Sequence, residues 1–383
     1  MPRSTGSGRE IPGPAVAING LENLCLDSRL IGKPGDHRVT IYEIDPLEDP
    51  RWERLSLQHP SASAFHTPAW LKALQRTYGY EPVALTTSSP GTELTSGIVF
   101  CRIKSRLTGN RLVSLPFSDH CEPLFDSPRE LDYVLSRLKG DLRHKQANYI
   151  EIRPVTSRFG SQAGFAKAEE FWLHRIDLRR PADAMFRGFH ANVQRNVRRA
   201  EGRLLRCEEG TSETLLEDFY RLLVLTRRRH HVPPQPRSWF RTLLDCMGEQ
   251  ANISVAYQDG VAVASIFTLR HNDVLIYKYG CFDYRHRQSG GMTWLLWLTI
   301  QKAQQHGLLE FDLGRSDFED LGLITFKDRW ASRRSTLTYW RRGTSRFDSA
   351  AAQWAVQFGG RMLAHMPNSL LTTAGGLLYR HVG

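Results

Sequence analysis

The sequence is short of cysteine and has no long apolar run. Its six cysteines are scattered over 383 residues, without the paired spacing of a zinc site or a disulfide framework. The longest apolar candidate, 292–300, is shorter than the roughly 18 residues that a membrane helix needs. The first forty residues hold no continuous apolar block like that of a secretory signal. These absences favour a reducing cytoplasm. The cysteines are Cys25, Cys101, Cys121, Cys207, Cys246 and Cys281.

The common catalytic signatures are missing as well. The chain has no GxSxG, no HExxH, no P-loop and no GxGxxG after a predicted strand. A metalloprotease, a P-loop kinase and a dinucleotide-dependent dehydrogenase are therefore disfavoured. No metal is implied by the residues.

What the sequence does have is length and positive charge. An apolar fraction of 41% and a charged fraction of 24% are typical of a globular chain, and 383 residues can form two ordinary domains. The net charge of +11 indicates an anionic partner. Nucleic acid, a nucleotide-linked substrate and acidic lipid would each fit, and a generally basic proteome is the alternative explanation.

Two stretches repeat the same order of predicted elements. Each is predicted as helix, strand, turn, strand, strand, loop, helix and strand, with Trp70 corresponding to Trp239 and Glu151 to Asp312. We therefore predict an α+β protein with two similar mixed-sheet domains in tandem; chance similarity of short element strings is the alternative. The predicted parts are a flexible lead at 1–37, domains at 38–165 and 166–345, and a helical tail at 346–383 that docks on the body.

The sequence between the repeats predicts a basic amphipathic helix at 182–201. Its polar surface carries Arg195 and Arg198, and a second basic cluster lies at 227–231. A phosphate or a nucleic-acid backbone is the expected ligand, while a solvated basic face is the alternative. The apolar stripe consists of Phe186, Phe189, Val193, Val197 and Ala200.

The tail begins with apolar residues at helical spacing from Phe347 and ends in an apolar segment. Docking on the body is predicted. A peripheral contact with the inner membrane, helped by Arg361 and Arg380, is the alternative.

The stretch around 309–330 is the strongest candidate for chemistry. Residues 309–313 alternate apolar and acidic side chains, which is the period of a strand. Gly314 is then expected to break the run, and a polar cluster follows at 315–317. Lys327 lies farther on between aromatic residues, and a cation set among aromatic side chains is positioned rather than merely solvated.

Two further loops are candidates for binding. Arg285, Arg287 and Ser289 precede Gly290 and Gly291 at the start of a predicted helix. A strand, a basic glycine-rich loop and a helix amino terminus can hold an anion on backbone amides, which would suit a pyrophosphate. The second loop, at the end of a strand in the first repeat, offers groups that could take a proton from an acceptor amine, although these residues could also be turn formers. They are Asp119, His120 and Glu122.

Three motifs together resemble the FemABX family of acyltransferases, which are tandem proteins of the GNAT fold related to peptidoglycan interpeptide-bridge enzymes. They are RNVRRA at 195–200, RHRQSGGM at 285–292, and FDLGRSD with GLITFKDRW at 311–330. The resemblance covers about Ser63 to Tyr339. The stretch at 114–125 and the LLYRHVG ending look closer to a subgroup linked with exopolysaccharide export and exosortase systems.

The resemblance implies a sheet that splays to admit an acyl donor, either acyl-CoA or aminoacyl-tRNA. Lys327 falls on the family's lysine in its FK pattern, where a cation can polarise the donor carbonyl and stabilise the oxyanion. Arg195 or Arg198 would hold the phosphates of the acceptor. Arg315 and Asp317 would line the site, and Asp317 could pair with Lys327. Coiled-coil material for tRNA contact is absent, and the Gly-Gly loop is not a full acetyl-CoA motif.

The sequence thus predicts a cytoplasmic N-acyltransferase. It would transfer an acyl or aminoacyl group to an amine of a cell-envelope, peptidoglycan or exopolysaccharide precursor, by direct attack and without a covalent enzyme intermediate. The acceptor would be anionic, as a nucleotide-linked or lipid-linked precursor is. The alternative is a catalytically degenerate GNAT pair that binds RNA or a polysaccharide-synthesis partner.

Overall fold

A computed structural model describes residues 40–138, 147–156, 164–344 and 367–382. The amino-terminal half (40–156) and the carboxyl-terminal half (164–344) both contribute strands to one continuous sheet. The helices of the described ranges are α1 (Pro50–Gln58), α2 (Pro68–Tyr78), α3 (Pro128–Arg137), α4 (Ala182–Gly188), α5 (Ala191–Glu201), α6 (Glu213–Arg229), α7 (Arg237–Met247), α8 (Gly291–Gln305), α9 (Leu321–Asp328) and α10 (Asn368–Val382).

The sheet has twelve strands in the order β1-β2-β3-β4-β5-β12-β6-β11-β10-β9-β8-β7. Strand β12, the last in the chain, therefore lies between the two halves and pairs with both β5 and β6. The strands are β1 (Tyr42–Ile44), β2 (Glu81–Thr86), β3 (Ile98–Ile103), β4 (Arg111–Ser114), β5 (Tyr149–Ile152), β6 (Ala166–Asp177), β7 (Arg206–Gly210), β8 (Ala251–Gln258), β9 (Val261–His271), β10 (Val274–Phe282), β11 (Glu310–Asp317) and β12 (Arg333–Gly343).

Each half contains one parallel pair, β4 with β5 and β10 with β11, whereas the other described neighbours in the sheet are antiparallel. Strands β10 and β11 pair over only three residues each, ending at Ile276 and Asp312. Both strands continue beyond that point, so they separate. We call the gap between them the splay.

Both strands at the splay are irregular. The register of β10 shifts between Tyr277 and Tyr279, and that of β11 shifts between Asp312 and Arg315. Gly314 lies in this second bulge with a φ of 72°, which glycine adopts at little cost. The expectation that Gly314 ends the strand is therefore wrong, because β11 continues through the bulge to Asp317.

The two halves repeat each other and meet through equivalent helices. Helix α2 packs against α7, and the rings of Trp70 and Trp239 lie 5.3 Å apart in an edge-to-face arrangement. The ends of α2 follow from its sequence: the side chain of Thr67 accepts a hydrogen bond from the Trp70 amide, and Gly79 ends the helix in the left-handed conformation. Both tryptophans are fully buried.

The helix predicted at 182–201 is in fact two helices, α4 and α5. Phe189 between them is extended, with a ψ of 152°, and His190 caps α5 by accepting from the Asn192 amide. The His190 amide donates instead to the carbonyl of Arg329 at the end of α9. The chain therefore breaks between α4 and α5, where the backbone and side chain of His190 have partners of their own. The apolar residues of both helices pack in the same core.

The described part of the tail is α10, which lies on the body. Leu371 is buried, and the Tyr379 hydroxyl donates to the carbonyl of Pro233. At the other end of the helix, the His381 carbonyl accepts hydrogen bonds from Thr108 and Arg111. The predicted lead at 1–37 and the predicted helix from Phe347 lie outside the described residues.

Candidate active site

A loop of the amino-terminal half enters the splay of the carboxyl-terminal half. The Nζ atom of Lys278, on β10, donates to Oδ2 of Asp119 at 2.9 Å, and Nε of Arg315, on β11, lies 4.0 Å from Oδ1 of the same carboxylate. The hydroxyl of Tyr339 donates to the Asp119 carbonyl at 2.7 Å. The Asp119 side chain thus lies between cations from the two separating strands.

Lys278 belongs to this candidate site but was not predicted from the sequence. Its ammonium lies 5.2 Å from the ring centre of Phe65, 5.9 Å from that of Trp70 and 5.7 Å from that of Tyr279. Such contacts stabilise a cation that has lost water. Lys278 is thus a cation set among aromatic side chains, whereas the contacts of the Lys327 ammonium with described residues are to backbone carbonyls.

Burial and charge oppose each other in this pair. Burial disfavours the charged form of both groups. For Asp119, the nearby cations Lys278 and Arg315 outweigh burial, and its pKa is lowered from the ordinary value. For Lys278, burial lowers the pKa more than the charge of Asp119 raises it, so the pKa of the lysine is also lowered.

His120, the next residue of the loop, forms a pair with a carboxylate of the opposite half. Its Nε2 atom lies 2.9 Å from Oδ2 of Asp312, and both side chains are buried. The other carboxylate oxygen of Asp312 accepts from the Gly314 amide at 2.7 Å. Asp312 also lies 3.5 Å from Nε of Arg175 on β6. This second carboxylate was not identified from the sequence as a site residue.

The environment of Asp312 fixes the tautomer of His120. Burial would raise the pKa of Asp312, but the hydrogen bond and charge of His120 and the charge of Arg175 overcome burial and lower it to about 2. An ionised carboxylate only accepts hydrogen bonds, so the Nε2 atom of neutral His120 carries the hydrogen. Its Nδ1 atom is left with the lone pair that can take a proton.

Lys327 approaches the splay through α9. Its Nζ atom donates to the carbonyls of Gly314 at 2.9 Å and Arg315 at 2.8 Å, and its side chain is buried. Burial lowers the pKa of Lys327 to about 8, although Asp119 and Asp312 oppose the change. Two of its three N–H groups thus bond to the bulge, and the described residues offer no hydrogen-bond partner to the third.

The other residues predicted at this site lie in three different places. Arg315 lies with its guanidinium 4.2 Å from the ring centre of Phe171 and is half-buried. The exposed Asp317 carboxylate makes no hydrogen bond or ion pair with any described residue, so it does not pair with Lys327. Glu122 accepts from the backbone amides of Val155 and Thr156, and its carboxylate is thereby held at a turn outside the splay.

The predicted glycine loop, 285–291, follows the carboxyl end of β10. Gly290 takes a φ of 78°, and a Cβ there would lie 2.9 Å from the carbonyl oxygen of Asn196 on α5. The Ser289 hydroxyl accepts from the Gly291 amide at 3.1 Å. Close packing against α5 is therefore sufficient to explain why residue 290 is a glycine. Independently of Gly290, the amino terminus of α8 favours an anion.

Several arginines surround the glycine loop. Arg287 lies 4.6 Å from the ring centre of Tyr284, and Arg229, from the predicted cluster at 227–231, lies 5.0 Å from the same ring. Arg203 donates to the carbonyl of Gln288. Arg285 is paired with Asp283 at 2.7 Å, so it is the member of the group whose charge is neutralised. The remainder form a basic surface that the structure assembles from three segments.

Arg195 and Arg198 are exposed on α5, beside the glycine loop. Arg195 donates to the side chain of Asn192, and Arg198 lies 5.6 Å from the ring centre of Phe186. Neither makes a hydrogen bond or ion pair with the described residues at the splay.

Known proteins share this architecture. A family model described as "Acetyltransferase (GNAT) domain" matches residues 187–328. The crystal structure of FemX superposes with a TM-score of 0.63 at 13% identity, covering 81% of this chain and 97% of that one. The C-terminal domain of an Agrobacterium fabrum protein described as a "Putative Lysylphosphatidylglycerol Synthetase" gives 0.52 at 14% identity, covering 80% and 93%. A tandem GNAT protein from the clavulanic acid pathway gives 0.51 at 10%, covering 79% and 98%. A search of curated proteins finds no match.

These similarities lie in the fold. The half with the glycine loop, the splay and Lys327 is the half that the family model matches, and the superpositions extend over both halves. The predicted fold class is confirmed: the chain consists of two GNAT domains in tandem, whose mixed sheets are joined by β12.

Proposed function

We propose that this protein is an N-acyltransferase of the FemAB-like kind, whose active centre is the splay between β10 and β11. The observation that carries the proposal is the meeting of His120, Asp312 and Lys327 where the two strands separate. A proton acceptor and a buried cation, both held by hydrogen bonds, meet the needs of acyl transfer to an amine. The family model and the tandem GNAT fold support the same class.

In the proposed reaction the acceptor amine attacks the carbonyl carbon of a thioester or ester donor. The new C–N bond forms, and the negative charge that develops on oxygen is stabilised by the third N–H group of Lys327, which bonds to none of the described residues. The Nδ1 atom of His120 takes the amine proton, while Asp312 stabilises the imidazolium that results. The C–S or C–O bond then breaks, and His120 returns the proton to the leaving group.

The proposed donor is an acyl-CoA or an aminoacyl-tRNA, with its phosphates at the glycine loop. Arg229 and Arg287 supply charge there, and the start of α8 supplies backbone amides. The proposed acceptor is an amine of an anionic cell-envelope precursor, a peptidoglycan or exopolysaccharide intermediate. It would approach from the side of the splay where Arg315 is half-exposed.

Binding measurements with the purified protein test the proposal. Acetyl-CoA, longer acyl-CoAs, charged tRNA and uncharged tRNA should be compared at two salt concentrations. We expect saturable binding of one donor class, about tenfold weaker in Arg287→Ala and unchanged in Arg129→Ala, an exposed arginine of α3. Salt-dependent RNA binding that does not distinguish charged from uncharged tRNA, without any transfer, would instead favour a GNAT pair that only binds RNA.

A further inference from the structure

Helix α10 has apolar side chains on two opposite sides. Leu371 and Tyr379 face the body, whereas Leu370 and Leu377, seven residues apart on the same side of the helix, are 55% and 68% exposed. Leu378 is exposed next to them. A helix that lay between the body and water would carry polar residues on its outer side. The outer side of α10 is instead suited to contact with an apolar surface other than the body of the protein.

A loop of the amino-terminal half extends this face. His381, one turn beyond Leu377, contacts Ser105 through its Nδ1 atom at 3.0 Å, and its carbonyl accepts from Thr108 at 2.8 Å. Leu107, between these two loop residues, is 67% exposed. We call these exposed side chains the leucine face. They are Leu107, Leu370, Leu377 and Leu378.

The surroundings of the leucine face are basic. A cleft of about 460 Å³ beside Leu107 has polar and basic residues, and no carboxylate, among its described lining residues. Arg380 on α10 is exposed. Among the described residues, Glu81 contributes an acidic group here, and its carboxylate lies 3.2 Å from the ammonium of Lys104. The residues lining the cleft are Lys104, Ser105, Arg106, Gly109, Asn110 and Asn148.

From this combination we infer that the leucine face docks on an anionic membrane surface. Exposed leucines beside basic side chains are what an interfacial helix presents: the apolar groups enter the boundary of the acyl chains, and the cations meet anionic headgroups. Charge complementarity favours an anionic lipid surface over a second copy of this chain, because two such faces would repel each other. No helix in the described part of the chain is long and apolar enough to cross a membrane. The contact would therefore be superficial.

Vesicle flotation with the full-length protein tests the inference. The wild type is compared on vesicles of phosphatidylcholine alone and of phosphatidylcholine with about a third phosphatidylglycerol. We expect retention on the anionic vesicles, with a partition coefficient about tenfold lower for Leu377→Asp and for Leu107→Asp. Both side chains are exposed, so both variants should fold.

A matched control separates this docking from general attraction between a basic protein and an anionic surface. Leu204 is 91% exposed and also has basic neighbours, Arg203 and Arg206, but it lies outside the leucine face. Leu204→Asp should keep the wild-type partition within about twofold. Failure of the wild type to float, or equal losses in the control and the test variants, would overturn the inference. Self-association of the wild type that Leu377→Asp abolishes would overturn it in favour of a second copy.

Discussion

The Nε2 atom of His120 and the Oδ2 atom of Asp312, 2.9 Å apart, join the two halves of the chain at the splay. His120 belongs to a loop of the amino-terminal half, whereas Asp312 ends the part of β11 that pairs with β10 in the carboxyl-terminal half. Under the proposed function this contact fixes which nitrogen of the histidine takes the amine proton. The proposed active centre therefore needs both halves, although the family model matches only one.

Changing Asp312 to Asn should keep the shape of the site and lower the transfer rate by about a thousandfold. An amide can donate to Nε2 of His120 and favour the wrong tautomer, because it no longer provides an ionised acceptor. The rate of a single turnover measures the effect. Glu310→Gln, two residues earlier on β11, is the control and should stay within about threefold. Equal losses in both variants would argue against a special role for the His120–Asp312 pair.

Loss of the charge on Lys327 should slow transfer at alkaline pH. Its pKa is lowered to about 8 by burial, so the ammonium loses its proton as the pH rises through 8, and the transfer rate should fall about tenfold for each further pH unit. Rates at saturating donor between pH 6.5 and 9.5 test this. Lys327→Met should be slow across the whole range and lack the alkaline decline; an unchanged profile in that variant would contradict the assignment.

Removing one partner of the pair formed by Lys278 and Asp119 should destabilise the protein more than removing both. Lys278→Met removes the cation that is hydrogen-bonded to the largely buried Asp119 carboxylate, and we expect a loss of about 3 kcal/mol in the free energy of unfolding. The double variant with Asp119→Asn should recover part of that loss, since no buried charge is left without its partner. Urea unfolding of the wild type, both single variants and the double variant gives the coupling free energy between the two side chains. Strictly additive losses would contradict a direct interaction.

Gly314→Ala should damage the site beyond the effect of backbone strain alone. Its φ is 72°, and the added Cβ would lie 3.3 Å from Oδ2 of Asp119. Gly79→Ala is the matched control, because Gly79 has a φ of 71° with nothing within 4 Å of a Cβ. Both variants should lose about 1–2 kcal/mol of stability, but only Gly314→Ala should also slow transfer. The two measurements are urea unfolding and the single-turnover rate.

The repeat was predictable because it rests on local patterns. Helix α2 shows its cap and its end in Thr67, Pro68 and Gly79, and its equivalent α7 carries a tryptophan at the matching place. Strand alternation and the turn at Asp259 and Gly260, both at positive φ, fix the hairpin of β8 and β9 in the same way. The tandem GNAT fold follows from these signals and from the motifs.

The composition of the splay was harder to predict, because its partners lie far apart in sequence. Lys278 lies in a strand rich in aromatic residues, and no residue near it in the sequence indicates that Phe65 and Trp70 lie around its ammonium. In the sequence, Asp312 has the pattern of a solvent-facing residue in an alternating strand. Only the fold places His120 next to it. Glu122, by contrast, was grouped with its neighbours because it follows them closely, yet its carboxylate caps a turn. Proximity in sequence did not indicate which loop residue would enter the splay.

The position of β12 also affects how the protein is made. Ile152 of β5 pairs with Trp340 of β12, so this edge of the amino-terminal sheet has no partner while the residues between them are synthesised. At about 5–20 residues per second, the ribosome takes roughly ten to forty seconds to supply that partner. During this interval the nascent chain carries an open strand edge of the kind that promotes aggregation. Efficient production of the protein should therefore depend on chaperones that bind nascent chains, and truncated products that end before β12 should be recovered mainly as insoluble material.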